Sequence, residues 1–273
     1  MSAPAKVAAP APPVTLAPAP APAKTTASSL PVSAMLPLDL ASVPAASVAG
    51  VGLLAAACAL GGFVTGAGAT ATGELALDVT ISAHRDPVLV GISHAVDIGV
   101  GVIAAPLWVL VISMVIGLAH RRAGVAFAVV SAVGWLSAGA AKLLFQRAHP
   151  PMSTVHALSA ESGLTSFPSG HTAIAASTVA AAVVAARLLG RSTRWIWVLG
   201  VPFVAFVAAT RLYIGVHYLG DVVASPLFVA GTTLLLVALG SLWCSRAATR
   251  VDESTQGATG RRTARTRAET TSN

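Results

Sequence analysis

The sequence predicts an all-α protein, a polytopic membrane bundle of six transmembrane helices. Three observations predict it. Hydrophobic residues make up 55% of the 273-residue chain and charged residues only 10%, whereas a soluble globular chain carries about a quarter charged residues. Six apolar runs lie near 47–67, 98–119, 123–145, 171–190, 195–213 and 221–243, each close to the roughly twenty residues that cross a bilayer as a helix. The arginines gather in alternate turns between those runs, as the positive-inside rule requires of a membrane protein.

Residues 1–46 are rich in Ala and Pro, as in "APAPAPAK". This reads as a low-complexity, extended and disordered leader. It lacks the charged start and apolar core of a cleavable signal peptide. The first span, with "GVGLLAAACALGG", is built of small residues that let helices approach closely in lipid. Segment 74–96 alternates apolar and polar residues and is expected to be a helix lying at the interface. Asp97 then caps the start of span two.

Arg121 and Arg122 fill the turn between spans two and three. The third span ends in "GWLSAGAAKLLF" with Lys142. Arg187, Arg191 and Arg194 surround the next turn, and Arg246, Arg250, Arg261, Arg262, Arg265 and Arg267 mark the C-terminal segment. All three clusters are expected on the cytoplasmic side, with both termini inside the plasma membrane. Residues 244–273 read as a basic, disordered cytoplasmic tail. His156 and Glu161 lie in a loop on the opposite side and read as solvated.

The net charge is +7. Topology accounts for it, so no nucleic-acid partner is expected; the partners are membrane lipids. Cys58 and Cys244 stand apart, without a CxxC or a His/Cys cluster, and read as packing residues. The oligomeric state is not legible.

Three polar clusters interrupt this apolar chain. They are "KLLFQRAHPP" (142–151), "PSGH" (168–171) and "TRLYIGVHYLGD" (210–221). No span separates the first from the second, and two separate the second from the third, so all three meet at one membrane face. The arginine clusters place that face outside the cell.

Lys142 and Arg211 are cations at the mouths of apolar helices, which is costly unless they serve a function. Ser169, Gly170 and His171 open the fourth span, where unpaired N–H groups and the helix dipole suit an anion. Together these groups describe a phosphate pocket. His217 and Asp221 are spaced i, i+4 and share a helix face. The carboxylate can hold one ring nitrogen while the other attacks. His171, arriving from another helix, suits a general acid. No metal-ligand spacing is present, and no cofactor is expected.

On these residues the chain resembles the type 2 phosphatidic acid phosphatase family of membrane lipid phosphate and polyprenyl diphosphate phosphatases. The family pattern is K-x6-RP, PSGH and SR-x5-H-x3-D. The chain has Pro168-Ser169-Gly170-His171, and Thr210-Arg211 followed at the right spacing by His217 and Asp221. The resemblance implies that His217 is the nucleophile and forms a phosphohistidine. Asp221 orients it, and His171 protonates the leaving group. Lys142, Arg211, Ser169 and the Gly170 N–H bind the phosphoryl oxygens. It implies a metal-independent phosphatase acting on a lipid phosphate.

The departure is His149, which stands where the family has arginine. Three outcomes are open. Arg147 takes the arginine's place, or protonated His149 binds phosphate, or the site is weakened. A phosphotransferase using the same intermediate and a non-catalytic lipid-binding protein are the competing functions.

Overall fold

The computed structural model describes residues 39–160, 163 and 165–271. Residues 1–38, most of the expected leader, lie outside these, as does Glu161. Among the described residues there are nine α-helices and no strand. They are α1 (Val43–Ala71), α2 (Glu74–Ala83), α3 (Pro87–Gly99), α4 (Ala104–Ala119), α5 (Arg121–Phe145), α6 (Met152–Val155), α7 (Gly170–Leu188), α8 (Arg194–Tyr213) and α9 (Leu219–Thr271). A 3-10 turn over Leu40–Ser42 leads into α1. Five helical segments are long and apolar enough to cross a membrane, and a sixth span forms if α3 and α4, bent by 62°, are counted together.

The bundle is organised around α7. Its sequence is mostly Ala, Ser, Thr and Val, so neighbours can close on it from several sides. His171 through Ser177, Ala181 and Ala185 are buried. α5, α8 and α9 pack against it, α1 lies along α9, and α4 lies along α5. Small residues set these separations. A Cβ at Gly50 of α1 would meet the Gly231 carbonyl of α9 at 3.0 Å, and a Cβ at Gly231 would meet that of Gly50 at 2.9 Å. The outward faces carry large apolar side chains, including Leu110, Met114 and Leu118 on α4 and Trp195, Leu199 and Val201 on α8. Exposed apolar surface of this extent marks a lipid-facing protein.

The structure corrects three expectations. Segment 74–96 is two helices rather than one. Asp86 caps the second through Val88 N at 2.8 Å and Leu89 N at 3.2 Å, and Pro87 occupies its first turn. "DP" is a start signal of known chemistry. Asp97 consequently lies in the last turn of α3 and caps nothing; α4 begins at Ala104, after Ile103. Residues 244–271 are not without structure, because α9 continues through them; their Ala, Arg and Glu content favours helix.

Arg85 locks the turn between α2 and α3 to the rest of the bundle. It donates to the carbonyls of Tyr213 (2.8 Å), His156 (2.5 Å) and Val155 (3.1 Å). Tyr213 returns a contact, its hydroxyl accepting from Asp86 N. The short helices α2, α3 and α6 are thereby held at the end of the bundle where α5 ends and α7 begins.

Candidate active site

The three polar clusters are joined by main-chain bonds before any side chain is considered. Ser169 N donates to the Asp221 carbonyl (3.1 Å), and the Ser225 hydroxyl donates to the Ser169 carbonyl (2.9 Å). Ser166 N donates to the Arg147 carbonyl (2.7 Å), and the Ser166 hydroxyl to that of Ala148 (3.0 Å). So α7 and α9 meet at their N-terminal ends, with the segment after α5 wrapped across them.

At the start of α7, Ser169 is the N-cap. Its hydroxyl accepts from Thr172 N (3.5 Å) and Thr172 Oγ1 (3.2 Å). A Cβ on Gly170 would have only Trp135 Nε1, at 3.9 Å, within reach, so the backbone there is open to the pocket. His171 Nε2 lies 3.1 Å from the Asp97 carbonyl oxygen and 3.3 Å from its Oδ1.

His217 and Asp221 are both buried. Nδ1 of His217 faces Asp221 Oδ2 at 3.3 Å. The same oxygen accepts from Tyr218 N at 2.9 Å. With Nδ1 carrying the proton towards the carboxylate, the ring's lone pair resides on Nε2, the arrangement an attacking imidazole needs. Arg211 is fully buried, and its Nη1 pairs with Asp97 Oδ1 at 2.6 Å. Lys142 Nζ donates to the carbonyls of Thr165 and Ser166.

The two residues of the open question separate. His149 lines the pocket. Its Nδ1 is 2.7 Å from the Val216 carbonyl and must carry the proton in that bond, and its buried Nε2 has no hydrogen-bond partner among the described residues. Its ring lies 5.2 Å from that of His217. Arg147 faces away from the pocket. Its guanidinium pairs with Asp221 Oδ1 (2.7 Å) and Glu74 Oε2 (2.5 Å), and lies 4.3 Å from the centre of the Tyr218 ring. Burial works against its charge, and the two carboxylates outweigh that and hold its pKa above the ordinary value.

Behind Arg147 lies Asp78, also on α2. It is 1% exposed, and neither carboxylate oxygen has a hydrogen-bond partner among the described residues. Burial, then the neighbouring charges of Asp221 and Glu74, pushes its carboxyl up to about 7.

The pocket itself has a volume of about 270 Å³. Its lining includes the polar Lys142, His149, Gly170 and His171 and the apolar Val100, Val102, Trp135 and Leu136. Among the described residues, no group of three or more His, Cys, Asp or Glu is placed to hold a metal ion.

Sequence reasoning missed Glu74, Asp78 and the true place of Asp97. The signal was present. An acid pair at i, i+4 in "ELALDVTISA", beside a membrane span, is as costly in lipid as Lys142 or Arg211 and asks for the same explanation.

Residues 121–246 match the PAP2 superfamily. The matched region runs from α5 into α9 and so contains all three polar clusters. A 76-residue stretch is 36% identical to the undecaprenyl-diphosphatase of Sulfolobus acidocaldarius. That stretch is 28% of this chain and about a third (34%) of the relative's length. The fold matches the crystal structure of the transmembrane PAP2-type phosphatidylglycerolphosphate phosphatase of Bacillus subtilis, with a TM-score of 0.58 over 70% of this chain and 94% of that one, at 19% identity. The protein is therefore a multi-pass membrane protein with the fold of a transmembrane PAP2-type phosphatase.

Proposed function

We propose that this protein is a membrane phosphatase of the PAP2 superfamily that hydrolyses a lipid phosphate or polyprenyl diphosphate through a phosphohistidine. The observation that carries the reading is the buried His217–Asp221 pair set beside His171, Lys142 and Arg211 at one end of a bundle of apolar helices. In the first step the Nε2 lone pair of His217 attacks phosphorus. The bond to the leaving oxygen breaks, and that oxygen takes the proton of His171. In the second, water attacks phosphorus, gives its proton to His171, and the P–N bond breaks. Fixed cations and helix N–H groups stabilise the equatorial charge in both steps. No step calls for a metal.

The pocket supports a lipid substrate. Its polar lining residues suit a phosphate and its apolar ones suit the first methylenes of a chain. The name of the archaeal relative, undecaprenyl-diphosphatase, points the same way. The arginine-bearing turns, between α4 and α5 and between α7 and α8, belong to the opposite end of the bundle from the polar clusters, which supports a site on the extracytoplasmic face of the plasma membrane.

The test is direct. The purified protein in detergent is given several lipid phosphates and diphosphates in EDTA, and free phosphate is measured. Release without metal is expected, with none from His217→Ala, and an acid-labile phosphoryl label on the protein during turnover. Release that requires a divalent metal or survives His217→Ala would overturn the mechanism. A phosphorylated acceptor without free phosphate would make the protein a transferase.

A further inference from the structure

We propose that Glu74 and Arg147 are positioning residues for the nucleophile, with Arg147 fixing the Asp221 carboxylate behind His217 and Glu74 fixing Arg147. The inference rests on the phosphohistidine reading for its catalytic meaning, and on geometry alone for the linkage.

The four side chains form one buried chain. Glu74 Oε2 meets Arg147 Nη2 at 2.5 Å, Arg147 Nη1 meets Asp221 Oδ1 at 2.7 Å, and Asp221 Oδ2 meets His217 Nδ1 at 3.3 Å. The division of labour on Asp221 matters. One oxygen serves His217 and Tyr218 N, and the other is taken by Arg147. A carboxylate held at both oxygens cannot rotate about its Cβ–Cγ bond without breaking an ion pair, so the imidazole it supports keeps its orientation. Arg147 is itself fixed, because its carbonyl accepts from Ser166 N and its guanidinium stacks on Tyr218.

Glu74 grips the same turn a second time. Its Oε1 accepts from Gly220 N at 2.6 Å. A Cβ at residue 220 would come within 2.8 Å of that oxygen, so the close approach needs glycine. α2 thus reaches the catalytic turn 217–221 through both a side chain and the main chain.

The chain also sets the charge felt by His217. Arg147 draws the field of Asp221 away from the imidazole and favours its neutral, nucleophilic form. Glu74 works in the opposite sense through Arg147. The other titratable and charged groups facing this cluster are Asp78 on α2, Arg85 in the turn after it, Tyr218 beside Arg147 and His149 beside His217. Lys142 and His171 line the pocket, and Asp97 joins His171 to Arg211.

The experiment is a titration of His217 by NMR on the full chain, carrying 13C-labelled histidine, in detergent. The signal is assigned by its loss in His217→Ala. Arg147→Gln should raise the His217 midpoint and Glu74→Gln should lower it, each by about one pH unit, the scale of a nearby charge. Arg147→Lys should restore a value near wild type. The measurements are repeated with Asp78→Asn to remove its titration from the same range. If Arg147→Gln cannot be purified, Glu74→Gln and Arg147→Lys decide the matter.

The acid limb of phosphate release should move with the NMR midpoint. In Arg147→Gln, kcat should fall roughly ten- to a hundredfold, the scale of a misplaced reacting group, while inhibition by inorganic phosphate stays unchanged. Shifts of the same sign in both charge-removing variants, or no shift, would overturn the proposal. So would weaker phosphate inhibition in Arg147→Gln, which would make Arg147 a substrate ligand. A wild-type protein that releases no phosphate would sink the phosphatase reading, and the titration would still decide the linkage.

Discussion

Asp97 Oδ1 lies 2.6 Å from Arg211 Nη1, and the same oxygen lies 3.3 Å from His171 Nε2. One carboxylate oxygen therefore bridges the cation assigned to phosphate and the histidine assigned to the leaving group. A second oxygen of Asp97 accepts from Ser159 at 2.9 Å. An anionic substrate oxygen between Arg211 and His171 has to displace this internal one.

Asp97→Asn should therefore bind phosphate more tightly. A charge-assisted bond is worth about 1.5–3 kcal/mol, so the inhibition constant of inorganic phosphate should fall by roughly ten- to a hundredfold. KM for a lipid phosphate should fall with it. A rise in both constants would show instead that Asp97 orients the site for substrate.

His149 holds Val216, the residue before His217, through its Nδ1–H bond. His149→Ala should lose that bond, cost about 1 kcal/mol of stability and lower kcat. His149→Arg loses it as well, but places a permanent cation on the pocket wall. Its KM for a lipid phosphate should fall relative to wild type. Thermal unfolding and steady-state kinetics separate the two effects.

Asp78 makes stability depend on pH. Its folded-state pKa of about 7 is raised above the ordinary carboxylate value. The protonated form is the one the fold accommodates, so its contribution is complete at acidic pH and is lost as pH rises through about 7. The whole change is at most ~4 kcal/mol. Asp78→Asn should narrow the difference in Tm between pH 5 and pH 8 and raise Tm at pH 8. An unchanged gap would show that the carboxyl titrates normally.

Arg85 should matter to folding more than to chemistry. Arg85→Met removes three donated bonds to main-chain carbonyls at once. Each bond from a charged donor is worth about 1.5–3 kcal/mol when made. A lower Tm is expected, together with faster amide exchange in α2 and α3. Unchanged exchange there would show that packing against α8 holds these helices without it.

The spans and the reacting groups were legible because their signals are local. Apolar length marks α5, α7, α8 and α9. PSGH carries its own N-cap and turn chemistry. His217 and Asp221 need only helical spacing to meet. What stayed hidden depends on which element crosses behind which. Glu74 and Asp78 read as ordinary acids of a surface segment and Asp97 as a helix cap, because nothing in their spacing says that α2 and α3 fold back over the ends of α7 and α9. Arg147 shows the same limit. Two residues of backbone after α5 decide whether its guanidinium enters the pocket or passes behind Asp221, and Gln146 settles this by adopting a left-handed conformation at the helix end (φ 46°).

The main-chain bond from Ser169 to Asp221, reinforced by Ser225, ties the starts of α7 and α9 together at one point. Helices that differ from the bilayer in length adjust by tilting. With these two pinned at their ends, tilt opens or closes the far end of the pair and leaves the spacing of His171 and His217 nearly constant. In reconstituted membranes of increasing acyl-chain length, the rate of bond cleavage should stay level, and bilayer thickness should act on how readily lipid arrives.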